Sequence, residues 1–452
     1  MKRLMVICAP VTSRSGYGAH ARDLVHSFND LGEFDIKIVD VKWGECPRNA
    51  LNENNEKDKK LIDMILKTNS VDKQPDVYVD IRIPNEFQTI GKFNIGITAG
   101  TETTAVSQKW LEACNKMDLV IVPSEHSKSG FVKSIYDKMQ QAPNGQQQKI
   151  GELKLEKPME VLFEGVDDTI YKPLNSDEIS TEFFDFINKK IPETYAFLSV
   201  GQWTAGNFGE DRKNIGRMIK IFYESFANKT KQPALILKTS GATYSILDKE
   251  ECLKKIKQIK DLFPSDWKLP NVYLLHGDLT DEEINYLYNH PKIKSLVSFT
   301  HGEGFGRPML EATFANLPVV ATNWSGHIDF LDTENSVLLG GSLENIPNSV
   351  VWQDILIPES QWFNVNEEQG YKSLNYVFKE NFDVKRKAEK LGKYNRENYT
   401  QKKMTEKLKE LLDVYLKNLP TQVGLTLPKL KKVDDKKSTD TPEIKLPKLQ
   451  KV

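Results

Sequence analysis

The segment Phe299–Gly326 constrains this chain more than any other part of it. An apolar run, Ser295–Ser298, gives way to Thr-His-Gly-Glu-Gly-Phe-Gly, a turn in which Gly302, Gly304 and Gly306 bracket Glu303. Pro308 stands near the start of the helix that follows, where its missing N–H costs nothing. Glu311 falls within that helix, and a second apolar run, Leu317–Thr322, closes the unit. A strand–turn–helix–strand unit of this kind belongs to a parallel sheet with crossover helices.

The same unit carries chemistry. A turn at a helix N-terminus offers unpaired backbone N–H groups to an anion, and glycines let a ligand approach the main chain. A phosphate there, with carboxylates poised for sugar hydroxyls, points to a nucleotide-sugar site. Spacing alone does not make this argument. Glutamates eight apart also occur at Glu45/Glu53, Glu152/Glu160, Glu156/Glu164, Glu359/Glu367 and Glu389/Glu397, none of them in a strand–glycine turn–helix setting. The setting is the signal.

The run Glu303-Gly-Phe-Gly-Arg-Pro-Met-Leu-Glu311-Ala, followed by Pro318-Val-Val-Ala and Ser325-Gly326, resembles the donor-site signature of family 4 (group 1) retaining glycosyltransferases. The resemblance covers residues 1–420. It implies an α/β chain of the GT-B fold, two Rossmann-like doubly wound domains facing across a cleft. It further implies that Glu303 sits by the donor sugar, that Glu311 holds the ribose hydroxyls, and that the main chain of Gly304, Phe305 and Gly306 lies against the sugar and diphosphate.

Bulk properties agree with a chain of that size. At 452 residues the chain exceeds a single core, so two domains are the expectation. Hydrophobic content of 39% and charged content of 28% are those of a soluble globular protein, and no apolar run reaches membrane-spanning length. The N-terminus reads as a first buried strand rather than a signal segment. The four cysteines, Cys8, Cys46, Cys114 and Cys252, lack ligand-like spacing and read as reduced packing residues of a cytoplasmic protein. A net charge of −1 gives no global attraction to nucleic acid.

The first half alternates apolar runs with helical stretches: Leu4–Ala9, Ile36–Val41, Val77–Ile81, Asn94–Thr98, Leu119–Val122 and Glu160–Phe163. A Gln-, Gly- and Lys-rich surface insertion at 137–157 interrupts it as a loop or hairpin. The pattern restarts at Ala196–Val200, Ala234–Lys238, Val272–Leu275, Ser295–Ser298, Val319–Ala321 and Val337–Leu339. The expected organisation is an N-terminal acceptor domain (1–172), a linker with one short helix (173–194) and a nucleotide-sugar domain (195–395). A C-terminal helical segment follows (396–420); its stripe over Gln401–Leu419 needs a surface to cover, and the resemblance implies that it crosses back to the N-terminal domain. The tail, 421–452, holds eight lysines against four carboxylates and repeats Leu-Pro-Lys-Leu at 427 and 446. It is expected to be disordered and to engage a protein partner or phosphates.

Other loops complete the candidate site. Gly201 to Gly216 is a Gly-rich strand-to-helix loop with Lys213 as a cation. In the resembled family two basic residues of this loop face the diphosphate. Lys213 matches the second, while the first is Gln202 here, so Arg212 or Lys238 is expected to restore the charge. Lys238 ends its strand, pointing into the crevice. The loop Thr12–His20, with Gly16 and Gly18, opens a helix and by resemblance faces the donor phosphate. Glu102, in Ile97-Thr-Ala-Gly-Thr-Glu-Thr-Thr104, resembles an active-site glutamate of some relatives; Glu164 stands where a His commonly precedes Gly-Val-Asp. None of His126, His276 and His301 reads as a general base. No Asp-x-Asp follows an apolar strand, so neither a metal nor another cofactor is expected beyond the nucleotide sugar itself.

The sequence therefore reads as a metal-independent, retaining glycosyltransferase, with Glu303, Lys213, Lys238 and Glu102 as catalytic candidates. Its N-terminal phrasing (Ser15-Gly-Tyr-Gly, Pro84-Asn-Glu-Phe-Gln88, Asn94-Ile-Gly-Ile-Thr-Ala-Gly100) is similar to glycosyltransferases of large tailed bacteriophages. That similarity makes a hydroxymethylated base in DNA the leading acceptor. The alternatives are a polysaccharide or protein acceptor, a non-catalytic nucleotide-sugar-binding scaffold, and a glycan phosphorylase on the same fold.

Overall fold

Two six-stranded parallel sheets organise the chain, each built from the short apolar runs that a strand buried on both faces requires. The computed structural model describes residues 2–68, 70–141, 147–204, 206–241 and 243–419. The lysine-rich tail and its repeats lie outside the described residues.

The N-terminal half runs β1 (Arg3–Ala9), α1 (Gly16–Asp30), β2 (Phe34–Asp40), α2 (Glu56–Met64), β3 (Val77–Ile81), β4 (Phe93–Ile97), α3 (Gln108–Cys114), β5 (Leu119–Val122) and α4 (Glu125–Lys133). The hairpin β6 (Tyr136–Gln141) and β7 (Gln147–Leu153) follows, and β8 (Met159–Val161) completes the sheet in the order β2-β1-β3-β4-β5-β8. The polar insertion is thus an antiparallel pair outside the main sheet, its strands exposed over most of their length.

After α5 (Thr181–Lys190) the second half runs β9 (Ala196–Val200), α6 (Ile215–Phe226), β10 (Ala234–Lys238), α7 (Ile246–Lys260), β11 (Val272–Leu275), α8 (Asp281–Asn289), β12 (Ile293–Ser298), α9 (Arg307–Phe314), β13 (Val319–Thr322) and β14 (Val337–Leu339). Its order, β11-β10-β9-β12-β13-β14, reverses direction between β9 and β12. Loops leaving the carboxyl ends of two such strands diverge and open a crevice for a ligand. The loops at this switch point are Gly201–Asn214 and Phe299–Gly306, the two Gly-rich segments of the sequence.

A further antiparallel pair, β15 (Gly341–Asn345) with β16 (Gln361–Val365), has no counterpart in the sequence reading. Every residue of β15, Gly-Ser-Leu-Glu-Asn, is exposed, so no alternation of apolar and polar residues marks it. Helices α10 (Glu367–Lys379), α11 (Asn381–Asn398) and α12 (Gln401–Tyr415) end the described chain. Helix α12 stops at Tyr415 rather than at Leu419, although Leu416 beyond it is still buried.

Helix α12 belongs to the core of the N-terminal half. Met404, Leu408, Leu411 and Leu412 join Leu24, Val25 and Phe28 of α1 in one apolar cluster. Thr405 Oγ1 donates to Ser27 Oγ at 2.8 Å, and Arg3 donates to the Leu419 carbonyl at 2.9 Å. Residues 2–419 consequently form one compact unit despite their two sheets. Leu408 is fully buried in this seam. Leu408→Ala is expected to cost about 2–5 kcal/mol of stability, from lost transfer energy and the cavity left behind, read as a lowered midpoint in urea unfolding followed by circular dichroism.

Candidate functional site

Four charged side chains meet at the switch point. Asp211 accepts from the Ile215 amide at 3.1 Å, and Asn214 takes a left-handed conformation (φ 52°) to start α6. This turn presents Arg212 and Lys213 side by side, while His301 N–H donates to the Arg212 carbonyl at 3.0 Å, tying the loop to the one that carries Glu303. Lys213 Nζ pairs with Glu303 Oε1. Arg212 lies 2.8 Å from Glu102 Oε1 of the N-terminal half and 3.8 Å from Glu303 Oε2. Glu303 is buried. Burial alone would raise its pKa, but Lys213 and Arg212 outweigh that penalty and hold the carboxylate below its ordinary value.

The glycines around Glu303 answer to packing first. A Cβ on Gly302 would stand 2.0 Å from the Glu102 carbonyl oxygen, and one on Gly304 would stand 1.9 Å from that of Ala99. Ser124 Oγ of α4's N-terminus also donates to the Gly304 carbonyl at 2.6 Å. The Cα face of Gly304 is therefore filled by the other half of the protein, while its amide stays unbonded among the described residues. The ring of Phe305 is buried in the C-terminal core against Phe330 (centroids 5.1 Å apart), which leaves its main chain as the part that faces the turn. Gly306 adopts φ 102°, which aims the start of α9 back toward the switch point. The amides of Gly304, Phe305, Gly306 and Arg307 have no acceptor among the described residues, the arrangement expected at a helix N-terminus that receives an anion.

Glu311 lies in a second buried cluster that the sequence reading did not foresee. Arg307 Nε donates to Glu311 at 2.8 Å, and the same guanidinium pairs with Asp23 of α1. Tyr288 OH approaches Glu311 at 3.4 Å. Burial, only partly offset by Arg307, pushes the Glu311 carboxyl up to about 7, and burial does the same to Glu164. Arg307 stands four residues before Glu311, a spacing at which helical side chains meet, and this was the signal available in the sequence.

Lys238 forms a third group. Its Nζ donates to the Gly277 carbonyl at 2.7 Å and sits 5.3 Å from the Tyr244 ring centroid. Beside it, Arg14 reaches Asp278 across the two halves at 3.2 Å. Burial lowers the Lys238 pKa, with Asp278 opposing. Gly16 begins α1 and is exposed; Gly18 is glycine for steric reasons, since a Cβ there would meet the Ser13 carbonyl at 2.1 Å. Gln202 is half-buried with no hydrogen-bond partner among the described residues. The structure thus joins Glu102, Arg212, Lys213 and Glu303 directly, while Lys238 and Glu311 each have separate partners. Among the described residues no group of three or more His, Cys, Asp or Glu side chains is placed to hold a metal ion.

No protein-family model and no curated protein matches this chain. Solved structures do. HepE of Anabaena, in complex with UDP and glucose, superposes with a TM-score of 0.57 over 91% of this chain and 100% of its own, at 12% identity. Sucrose-phosphate synthase of Thermosynechococcus elongatus gives a TM-score of 0.61 over 92% of this chain and 100% of its own, at 11% identity. A glycosyltransferase of Rickettsia africae gives 0.57 over 92% and 99%, at 13% identity. At such identities the likeness is one of fold, and the fold is GT-B.

The raised carboxyls have a thermodynamic consequence. Glu164 and Glu311 hold their protons more tightly in the folded chain than at the ordinary value of 4.5. The native state is thus favoured in acid and loses that advantage as the pH climbs from about 4.5 to about 7. Glu164→Gln, which keeps the shape without the charge, is expected to flatten stability across this window. Urea midpoints at a series of pH values read this out.

Proposed function

We propose that this chain is a glycosyltransferase that moves a sugar from a nucleotide-diphosphate donor to a hydroxyl acceptor, with retention of configuration and without a metal ion. The observation that carries the reading is the pairing of Lys213 and Arg212 with Glu303 at the switch point, directly before the free amides that open α9. Two adjacent cations and a helix N-terminus suit a diphosphate. Arg212 supplies the charge that Gln202 does not.

The chemistry follows from these groups. As the bond between the sugar C1 and the phosphate oxygen breaks, the electron pair stays with the leaving diphosphate. Lys213, Arg212, Lys238 and the α9 amides stabilise that charge as it develops. The acceptor hydroxyl attacks C1 from the same face and passes its proton to an oxygen of the leaving phosphate, so no side-chain general base is required. Glu303, relieved of Lys213 by the incoming diphosphate, turns to the sugar hydroxyls. Glu311 bonds the ribose, and Glu102 holds Arg212 until the donor arrives. HepE has been seen with UDP and with UDP-glucose, which makes UDP-sugars the first donors to test here.

For the acceptor, the lysine-rich segment 421–452 favours a polyanion, and a hydroxymethylated pyrimidine in DNA is the second element of the proposal. A neutral polysaccharide or a protein without an acidic surface would make no use of those lysines. Purified protein is incubated with labelled sugar nucleotides and each acceptor class. Lys213→Ala is expected to lower turnover about 10²–10³-fold, the usual cost of removing one stabiliser of the developing charge. Glu311→Gln is expected to weaken the nucleotide about 10- to 100-fold by calorimetry. Wild-type behaviour of both variants ends the reading; transfer to glycans but never to modified DNA ends the DNA acceptor alone.

A further inference from the structure

His301 is fully buried beside Glu303, and both of its ring nitrogens face main-chain carbonyl oxygens. Nδ1 lies 2.9 Å from the Phe363 oxygen on β16, and Nε2 lies 3.0 Å from the Gly209 oxygen in the Gly201–Asn214 loop. Its ring stacks on Trp362, with centroids 4.1 Å apart and planes 9° from parallel. The main chain repeats the pattern: His301 N–H donates to the Arg212 carbonyl at 3.0 Å, and the His301 carbonyl accepts from Phe363 N–H at 2.9 Å. One residue therefore joins three segments: the loop presenting Arg212 and Lys213, the loop presenting Glu303, and the β15–β16 hairpin.

Gly209 is the sensitive point of this junction. It adopts φ 75°, and the Arg217 guanidinium of α6 packs within 3.0 Å of where its Cβ would stand. Its carbonyl is aimed inward at the imidazole, and the turn it begins leads directly to Arg212 and Lys213.

We propose that His301 is a positioning residue for the donor diphosphate, bracing the Gly209 turn so that Arg212 and Lys213 are held against Glu303. This rests on the reading of those two cations as the diphosphate-binding pair. It goes further in naming what holds them and how the hold is switched. A carbonyl oxygen only accepts hydrogen bonds, so a neutral imidazole, with one N–H, satisfies one of the two carbonyls; both are satisfied only when the ring carries two protons. Burial lowers the ring's proton affinity, the two carbonyls raise it, Arg217 from α6 lowers it and Glu344 from β15 raises it, leaving it below the ordinary value. The second brace is therefore made in acid and lost toward neutral pH, and the indole face of Trp362 favours the charged ring.

The test compares full-length wild type with His301→Phe, which keeps the stack but donates nothing, and His301→Gln, which keeps an amide donor. Hydrogen exchange is followed in peptides covering residues 206–213, and donor KM is measured with whichever UDP-sugar the wild type uses. We expect His301→Phe to speed exchange in that loop at least tenfold and raise donor KM at least tenfold, with His301→Gln recovering most of both. In wild type, exchange corrected for intrinsic rates should slow as the pH is lowered from neutral into the acid range, a difference absent in His301→Gln. This arm stands even where His301→Phe fails to fold. Unchanged loop exchange in the variants, or faster exchange with an unchanged donor KM, overturns the proposal. A wild type that uses no nucleotide sugar removes the functional reading, while the exchange data still decide whether His301 braces the loop.

Discussion

Main chain packed on main chain governs this molecule: Gly302 and Gly304 lie so close to Ala99–Glu102 of the other half that no Cβ fits between them. Side chains can adjust to a neighbour, but two backbones in van der Waals contact leave neither partner room to shift. That approach fixes where the Glu303 loop sits, and through it where the carboxylate meets Lys213. Thr104 N–H donating to the Gln361 carbonyl at 2.9 Å, and Ser124 donating to Gly304, lock the same seam. The two sheets behave as one body because their connecting loops are interleaved here.

Charge follows the same plan. Each of three cations is matched by a carboxylate from the opposite half: Arg212 with Glu102, Arg307 with Asp23, and Arg14 with Asp278. A site assembled this way is neutralised internally. Under the proposed function, a diphosphate would compete with carboxylates for Arg212 and Lys213, and the groups it reached would already be oriented. Glu311 differs from Glu303 for a plain reason. Glu303 has Lys213 beside it and shares Arg212 with Glu102, whereas Glu311 shares one guanidinium with Asp23 and Glu164 in a buried setting, and its proton affinity rises accordingly.

Much of the architecture was legible in the sequence because buried parallel strands need continuous apolar runs. Val77–Ile81, Leu119–Val122, Ala196–Val200, Ala234–Lys238 and Val272–Leu275 are strands at the bounds their composition indicates. The hairpin strand Gly341–Asn345 was illegible, since an exposed polar strand held only by its partner carries no pattern of its own. The side on which Phe305 and Gly304 pack was illegible for a related reason. A motif gives the backbone path but not which side of it the rest of the protein will occupy.

The sequence by itself determined two Rossmann-like halves, the glycine turn before α9, and the placing of Lys213 and Glu303 on loops that follow strands. These follow from periodicity and turn chemistry, which are local. Only the tertiary structure decided that Glu102 closes the cluster, that Arg307 and Asp23 claim part of Glu311, and that His301 links three segments far apart in the chain. Those outcomes depend on how two sheets and their loops meet, and the energy of such a meeting lies in pairwise distances that no single stretch of residues encodes.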